Sequence, residues 1–514
     1  MSKTIIIIGA GLAGLSAALQ AAENGCNVKL VSFFPSERAQ SVMAEGGINA
    51  ALNTKDENDS PEEHFTDTIK AACGLADPNA VWGMTQAAPE LVHWLLKLGV
   101  KFNMSGYDDV DLRNFGGQKK KRTAFAQSDT GKQIMTAMID AVRRKEASGM
   151  VERFSHHSFL TLRLCGNICC GCVIRDEYSQ ETVELPGDAV IVATGGMHGL
   201  FGNTTGSLSN TGEVTAELFR LGVPLANGEM IQYHPTTVKC GGKRMLISEA
   251  ARGEGGRLFA MKDGKQWYFM EEKYPELGNL MPRDITAREI WKVSHESEVF
   301  LDMTEISEEI ISNKLSGLAD DCMTYLHKDI RKEPVSVLPG IHYFMGGILV
   351  DEQHRTPIQN LYAAGECCAQ YHGANRLGGN SLLGALYGGR VAAKSACEQA
   401  DVVDLSCATQ IDFPPTSQIS EIKQLNKVMQ ETMGVVRNEN TLLNGIQTVQ
   451  ALTGNLPLLG MAVLKSALAR KESRGAHWRE DYPKSNDDDY LKTTVARFDG
   501  KQIQISFVPV PERR

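Results

Sequence analysis

The stretch TIIIIGAGLAGLSAALQAAENGCNVKLVS, residues 4–32, gives the clearest indication of the fold. Its pattern is an apolar strand, a glycine turn, an alanine-rich helix that ends near Gly25, and a second strand. Gly9, Gly11 and Gly14 have the G-x-G-x-x-G spacing, in which missing side chains let the backbone approach a pyrophosphate at a helix N-terminus. The stretch therefore predicts a βαβ unit that binds a dinucleotide.

The end of the second strand argues against simple NAD binding. An acidic residue is expected there to hold the ribose, but the chain has Val31, Ser32 and Phe33. The apolar run from Ile5 to Leu19 resembles a signal peptide, yet three glycines interrupt it and no clear cleavage site follows. We interpret the run as part of the fold.

The composition indicates a globular protein of two or three domains. The chain has 514 residues, 42% hydrophobic and 22% charged. A net charge of −9 gives no basic surface for nucleic acid. The twelve cysteines are scattered, which favours reduced thiols in a cytoplasm. Four of them lie in a predicted β-meander, where we expect buried structural thiols and no metal: Cys165, Cys169, Cys170 and Cys172.

Two later strands, DAVIVATGG at 188–196 and NLYAAGECC at 360–368, also end in small residues. Their separation predicts an insertion within the nucleotide-binding sheet, and long amphipathic helices follow from about residue 417. We predict an α/β fold of three domains. They are a Rossmann-type domain at 1–226 and 338–405, an inserted α+β capping domain at 227–337, and a helical C-terminal domain at 406–514 with a strand-like tail.

Further motifs follow in a distinctive order. They are QSVMAEGGIN at 40–49, RNFGGQKKKRTAFAQSDTG at 113–131, ATGG, QYHPT, SEAARGEGG, MPRD, HYFMGG, AAGE, HGANRLGGNSL and ESRGAH. In this order the chain resembles, over nearly its whole length, the flavoproteins of the fumarate reductase and succinate dehydrogenase family. The resemblance implies a Rossmann-type FAD-binding domain and an oxidoreductase that acts on CH–CH groups.

The resemblance also implies a site for a C4 dicarboxylate. The groups implied for the two carboxylates are His234, Ser248, His342 and Arg376. Hydride would come from N5 of the reduced flavin, and the proton from Arg283, fed through Glu249 and Arg252. Phe115 would pack against the substrate. In isolation, Arg283 and Arg252 could instead pair with Asp284 and Glu254, and the KKKR run at 119–122 is expected in a solvated loop.

The resemblance implies a nearly complete FAD shell. Its members are Gly9, Gly11, Leu12, Ala13, Gly14, Ser32, Gln40, Ser41, Ala44, Glu45, Gly46, Gly47, Ala193, Thr194, Gly195, Glu213, Glu366, Arg376, Asn380, Ser381 and Leu382. Many membrane-bound relatives attach FAD through a histidine five residues before the acidic or amide residue of A-E/Q-G-G. Gln40 stands there, which predicts non-covalent FAD and a bias towards fumarate reduction.

The predicted function is FAD-dependent reduction of fumarate to succinate by the catalytic subunit of an anaerobic electron-transfer system. The alternatives are reduction of another enoate, succinate oxidation, L-aspartate oxidation, and a flavin scaffold without a substrate. L-aspartate oxidase has a motif of the type R-E-G-G-H at the position where this chain has RNFGG, residues 113–117. The electron donor stays open between an iron–sulfur subunit, a reduced flavin, NADH through another protein and a thiol system. We expect a cytoplasmic protein without a membrane span, associated with a membrane at most through partner subunits.

Overall fold

The computed structural model describes residues 2–106, 109–400, 413 and 418–514. The strands are β1 Thr4–Ile8, β2 Asn27–Ser32, β3 Ile48–Asn49, β4 Leu112–Arg113, β5 Thr123–Ala124, β6 Val151–Ser155, β7 His157–Cys165, β8 Ile168–Asp176, β9 Thr182–Pro186, β10 Ala189–Val192, β11 Leu225–Ala226, β12 Ile231–Cys240, β13 Lys243–Leu246, β14 Arg257–Lys262, β15 Lys265–Trp267, β16 Val299–Asp302, β17 Val335–Ser336, β18 Leu338–Phe344, β19 Gly347–Leu349, β20 Leu361–Ala363, β21 Cys368–Ala369, β22 Lys492–Phe498 and β23 Ile503–Pro509.

The helices are α1 Leu12–Glu23, α2 Pro61–Ala71, α3 Pro78–Lys97, α4 Thr130–Ala147, α5 Glu213–Arg220, α6 Glu249–Gly253, α7 Phe269–Lys273, α8 Arg283–Val293, α9 Glu308–Lys314, α10 Ser316–Asp321, α11 Asn380–Gln399, α12 Ile419–Thr432, α13 Glu439–Val449, α14 Asn455–Ala469 and α15 Asp487–Tyr490. No helix of the described residues is long and apolar enough to cross a membrane.

A five-stranded parallel sheet in the order β20-β10-β1-β2-β6 forms the centre of the molecule. From Ile5 to Ile8, β1 is apolar because both of its faces are buried. Ile5 and Ile7 pack in the core that contains α1 and α11. Ile6 and Ile8 pack on the opposite side, against the antiparallel β7-β8-β9 meander. This three-layer arrangement confirms the Rossmann-type α/β prediction.

The turn after β1 requires a glycine. At Gly9 φ is +110°, and a Cβ there would lie 2.2 Å from the carbonyl oxygen of Ala193. Because parallel strands end at one edge of a sheet, the turns after β1, β10 and β20 meet there. The sheet thus gathers the three predicted small-residue turns at its carboxyl edge.

The inserted region has its own apolar core. Leu258, Ile290 and Leu301 pack in it, beneath the β15-β14-β16-β17 sheet. A second sheet, β13-β12-β18, is antiparallel. Since β18 begins at Leu338, this sheet spans the boundary predicted at residue 337, and the boundary itself stays a prediction.

The C-terminal helices share a core with earlier parts of the chain. Leu425 of α12 and Leu459 of α14 pack in one cluster with Phe201, Phe219 and Ile231. The strand-like tail is the β22–β23 hairpin, which pairs with β11 in the sheet β21-β19-β11-β22-β23. The C-terminal region is therefore packed into the rest of the molecule through both its helices and its tail.

Arg470 is an electrostatic centre of this packing. Its guanidinium donates to Glu229 at 2.7 Å, to Glu472 at 2.8 Å and to the Thr494 hydroxyl at 2.7 Å. The side chains of Arg470, Glu229 and Glu472 are 0% exposed. One buried cation therefore joins the inserted region, the ESRGAH segment and the tail.

The KKKR run is not simply a solvated loop, so that prediction is wrong for its last residue. Arg122 is completely buried and lies 2.9 Å from Asp59 and 3.0 Å from Asp67. Its charge stays in the interior because two carboxylates surround it. Lys120 bonds the carbonyl of Asn58, which leaves Lys119 and Lys121 as the exposed part of the run.

Three of the clustered cysteines are buried thiols. Cys169, Cys170 and Cys172 lie on β8 and are free. Burial raises the pKa of Cys169 to about 12, which leaves the thiol protonated and unreactive at neutral pH. Cys165, half-buried at the end of β7, is disulfide-bonded, so the prediction of a reduced thiol is wrong for this cysteine. No group of three or more His, Cys, Asp or Glu in the described part of the chain could hold a metal ion.

Replacing Arg470 with leucine is expected to lower the free energy of unfolding by about 3–5 kcal/mol, because two carboxylates stay buried without their cation. Urea unfolding checks this. The matched control is Arg514→Leu, whose side chain is 84% exposed and whose loss should cost less than about 0.5 kcal/mol. A small and equal effect of both variants would contradict the assignment.

Candidate active site

The N-terminus of α1 forms an open cradle. Gly11 precedes the helix, and the next amide, that of Leu12, donates to the Ser41 hydroxyl at 3.3 Å. A Cβ on Gly11 would meet nothing closer than the Ser41 oxygen at 3.7 Å, whereas one on Gly14 would lie 1.8 Å from the Gly9 carbonyl oxygen. Gly14 thus permits close packing, whereas a Cβ at Gly11 would make only ordinary van der Waals contacts with Ser41 and Ala39. A pyrophosphate fits the cradle, with helix amides pointing at it.

The predicted FAD residues lie along the carboxyl edge of the sheet. Ser32 ends β2, and its buried hydroxyl has no partner in the described structure. The Glu45 atom Oε2 is also buried without a partner. Such polar atoms suit a dinucleotide that supplies the missing bonds. The others surround the same edge: Ala13 in α1, Gln40 and Ala44 in and after the 3₁₀ turn Gln40–Met43, Gly46 and Gly47 before β3, Ala193, Thr194 and Gly195 after β10, Glu366 after β20, and Ser381 and Leu382 in α11.

Two members of the predicted shell have other partners. The Asn380 side chain bonds Asn49 at 2.7 Å and His64 at 2.9 Å. It therefore braces the start of α11, and its side chain is already bonded within the protein. Glu213 is exposed at the first position of α5 and accepts from the Thr211 hydroxyl at 3.4 Å.

Burial changes the charge of two carboxyl groups in the shell. It raises the pKa of Glu45 to about 8, and the neighbouring Asp321 carboxylate adds to this shift. It raises the pKa of Glu366 to about 7. Glu366 accepts from the Phe344 amide at 3.0 Å. Glu45 is consequently a neutral acid at pH 7.

The three residues of the predicted proton relay lie in contact with one another. Arg283, the first residue of α8, donates from Nε at 2.8 Å and from Nη2 at 2.5 Å to Oε2 of Glu249. Oε1 of Glu249 lies 3.4 Å from Arg252. All three side chains are buried. Burial opposes ionisation of Glu249, but Arg283 and Arg252 hold its pKa below the usual value.

The alternative pairing of these arginines is wrong. Glu254 pairs with Lys314 at 3.1 Å, and Asp284 accepts from the Asn375 amide at 3.0 Å. Since Arg283 and Arg252 both meet Glu249, they form one ionic cluster.

Gln232 is a site residue that the sequence analysis missed. Its side-chain oxygen accepts from Nη1 of Arg283 at 3.0 Å, and its nitrogen donates to Asn375 at 3.0 Å and to the Arg376 carbonyl at 2.9 Å. Gln232 therefore links the predicted proton donor to the loop of Arg376. Its position two residues before His234 on β12 was the available signal, because alternate residues of a strand share a face.

The two predicted histidines face each other. The ring centroids of His234 and His342 are 5.1 Å apart. Burial lowers the pKa of both rings well below the usual value, and the positive charge of Arg283 adds to the shift. Both imidazoles are therefore neutral at pH 7, so each offers one N–H.

Arg376 is a buried cation that forms no ion pair with a carboxylate of the described residues. It lies over the Tyr343 ring, 4.2 Å from the centroid, and its Nε has no hydrogen-bond partner. Within the described ranges no carboxylate pairs with it. Burial lowers the pKa of Arg376 to about 9, and the repulsion from Arg283 adds to this. The guanidinium is thus prepared for an anion that enters the site.

Two smaller contacts complete the site. Ser248 caps α6, where its hydroxyl accepts from the Ala250 amide at 3.4 Å. Phe115 packs against two glycines. A Cβ added to Gly46 would lie 2.8 Å from the Phe115 ring, and a Cβ added to Gly378 would lie 3.0 Å from it. The ring thus lies between the A-E-G-G turn and the segment that precedes α11.

Comparison with known proteins identifies the family. A model described as "FAD binding domain" matches residues 4–382, and one described as "Fumarate reductase flavoprotein C-term" matches residues 452–513. The succinate dehydrogenase flavoprotein subunit of Bacillus subtilis is 38% identical over 100% of this chain and 98% of its own length. The chain belongs to the succinate dehydrogenase and fumarate reductase flavoprotein family.

Other members of this flavoprotein family are also similar to the chain in sequence and in structure. The 8-methylmenaquinol:fumarate reductase flavoprotein subunit of Wolinella succinogenes is 32% identical over 100% of this chain and 92% of its own length. The solved structure of E. coli quinol fumarate reductase FrdA has a TM-score of 0.90 at 27% identity, covering 99% of this chain and 97% of that one. The predictions of family, fold class, FAD and an oxidoreductase are confirmed.

The flavoprotein loaded with FAD is expected to show a step in its flavin absorbance near pH 8, where Glu45 ionises. Because the folded-state pKa is raised, the carboxyl is neutral below the step and negative above it. Glu45→Gln should remove the step, and Glu37→Gln, an exposed control, should keep it. Titration between pH 6.5 and 9 checks this. A step near pH 7 belongs to Glu366, and a step near pH 8 that survives in Glu45→Gln contradicts the assignment to Glu45.

Proposed function

We propose that this flavoprotein reduces fumarate to succinate. The supporting observation is the charge of the site: three buried guanidiniums, those of Arg283, Arg252 and Arg376, face one carboxylate, Glu249. With neutral histidines and with Glu366 in its protonated form, three positive charges and one negative charge leave two positive charges. A dianion of two carboxylates neutralises them.

The burial of these charges supports a dicarboxylate over a monocarboxylate. Arg376 would grip one carboxylate with its free Nε and terminal nitrogens, and His234, His342 and Ser248 would donate to the carboxylates. A substrate with one carboxylate would leave a buried cation unpaired, which is costly in a low-dielectric site. Reduction of other enoates is therefore the second candidate.

The chain's own residues supply the proton. When bound, FAD supplies hydride chemistry. Nη1 and Nη2 of Arg283 each carry two hydrogens, and the bonds to Gln232 and Glu249 use one of each. The remaining hydrogens can face the substrate. The charges of Arg252 and Arg376 favour release of this proton, and the ionised Glu249, 2.5 Å from Arg283 and 3.4 Å from Arg252, can pass a proton from Arg252 back to Arg283.

Reduction is the proposed direction because of Gln40. An amide cannot form the histidyl link that raises the flavin potential in many relatives, so FAD would be dissociable and more reducing. The same groups serve succinate oxidation in reverse, and the relatives carry both names. We also propose that the flavoprotein works in the cytoplasm with an iron–sulfur subunit, since the matched relatives are named as subunits.

Arg283→Gln is expected to lower kcat for fumarate reduction by about 10²–10⁴-fold, because the amide cannot donate the proton. Arg257→Gln is the matched control, since Arg257 pairs with Glu271 in the inserted region and its side chain is 42% exposed; its kcat should equal that of the wild type. Steady-state assays with a reduced viologen donor measure both variants. A kcat of Arg283→Gln within about tenfold of the wild type would rule out the role.

Acid precipitation of the FAD-loaded flavoprotein should release all flavin into the supernatant, since Gln40 offers no imidazole for a covalent bond. Absorbance of the supernatant and in-gel flavin fluorescence measure the two fractions. Gln40→His provides the comparison, because it restores a nucleophilic ring at the same position. Flavin retained on the wild-type polypeptide would overturn the non-covalent assignment.

A further inference from the structure

The loop after the 3₁₀ turn His198–Leu200 carries two consecutive threonines. The Thr205 hydroxyl lies 2.8 Å from Nδ1 of His342, and the Thr204 hydroxyl lies 2.9 Å from Nδ1 of His198. Thr205 is half-buried and belongs to none of the motifs above. Its hydroxyl thus bonds the far side of a histidine whose near side faces the site.

The bond matters because His342 is neutral. A neutral imidazole has one N–H and one acceptor nitrogen, and its Nε2 has no partner among the described residues. A substrate carboxylate is acceptor-only, so it needs Nε2–H. Nδ1 must then accept a hydrogen bond, and the neighbouring group that can donate to it is the Thr205 hydroxyl.

A hydroxyl can meet this need because it donates or accepts by rotating. Its alternative acceptor is the Ile341 carbonyl oxygen at 3.3 Å, which already accepts from the Thr205 amide at 3.0 Å. The contact with Nδ1 is shorter by half an ångström. An anion at Nε2 therefore turns the hydroxyl hydrogen towards Nδ1.

His234 is held in a different way. Its Nδ1 lies 3.1 Å from the Thr236 carbonyl oxygen and 3.3 Å from the Thr236 amide nitrogen. The main chain of Thr236 can therefore bond Nδ1 of His234 in either tautomer, whereas Nδ1 of His342 depends on the Thr205 side chain.

We propose that Thr205 is a positioning residue for substrate recognition: its hydroxyl donates to Nδ1 of His342 and so presents Nε2–H to a substrate carboxylate. This inference rests on the proposed dicarboxylate function. In this proposal Thr205 acts through the tautomer of His342 and makes no contact of its own with the substrate.

Thr205→Val tests the proposal, because valine has the shape of threonine without the hydroxyl. The probe is malonate, a dicarboxylate that has no alkene and therefore cannot be reduced. Its dissociation constant is measured on the FAD-loaded protein by perturbation of the flavin absorbance. We expect about a tenfold weaker affinity in Thr205→Val, an unchanged affinity in Thr205→Ser, and an unchanged flavin content in both. The matched control is Thr432→Val, whose hydroxyl bonds its own helix at the Val428 carbonyl.

A second comparison separates tautomer control from general packing. In a His342→Phe background, Thr205→Val should cause no further loss, since the group through which it acts is gone. An additional tenfold loss there, a Thr205→Val affinity equal to the wild type, or failure of Thr205→Ser to restore binding would each overturn the proposal. Wild-type protein that binds no malonate and reduces no fumarate would instead refute the proposed function.

Discussion

The carboxylate of Glu249 holds two buried guanidiniums in place, and the candidate site is arranged around this contact. Without it, Arg283 and Arg252 would repel each other in a region that excludes water. One oxygen serves Arg283, and the other lies near Arg252 and accepts from the Gly116 amide at 3.1 Å. The RNFGG turn thereby joins the ionic cluster, which places Phe115 beside the A-E-G-G segment.

The fold brings these groups together from distant parts of the chain. The parallel sheet presents its turns at one edge, where the α1 cradle faces the dinucleotide. The inserted region adds Arg283 and Glu249 from α8 and α6, and β12 and β18 bring the two histidines. Gln232 then joins Arg283 to the Arg376 loop, so the two cationic ends of the site are coupled through one amide. Under the proposed function, the two carboxylates of the substrate would balance the excess positive charge.

Local patterns predicted a large part of this arrangement. The apolar run Ile5–Ile8 and the spacing of Gly9, Gly11 and Gly14 indicate β1 and its cradle, because strand burial and helix N-termini depend on near neighbours. The burial of Arg122 could not be predicted from local patterns. A KKKR run by itself indicates solvent-exposed side chains, and the carboxylates that pair with Arg122 lie more than fifty residues away. Arg470 and Thr205 were missed for the same reason, since each acts through tertiary contacts that leave no periodic signal. The C-terminal helices have an evident amphipathic pattern, but the pattern does not say that their core is shared.

In the proposed function, the site around Arg283 and Arg376 recognises a dianionic alkene. Anaerobic stopped-flow measurement on the dithionite-reduced, FAD-loaded flavoprotein tests it most directly, with flavin absorbance followed after mixing with fumarate or with crotonate, an enoate with one carboxylate. Rapid flavin reoxidation by fumarate and none by crotonate is the predicted result. Equal reoxidation by both compounds, or by crotonate alone, would contradict the two-charge site, and reoxidation by neither would contradict enoate reduction altogether.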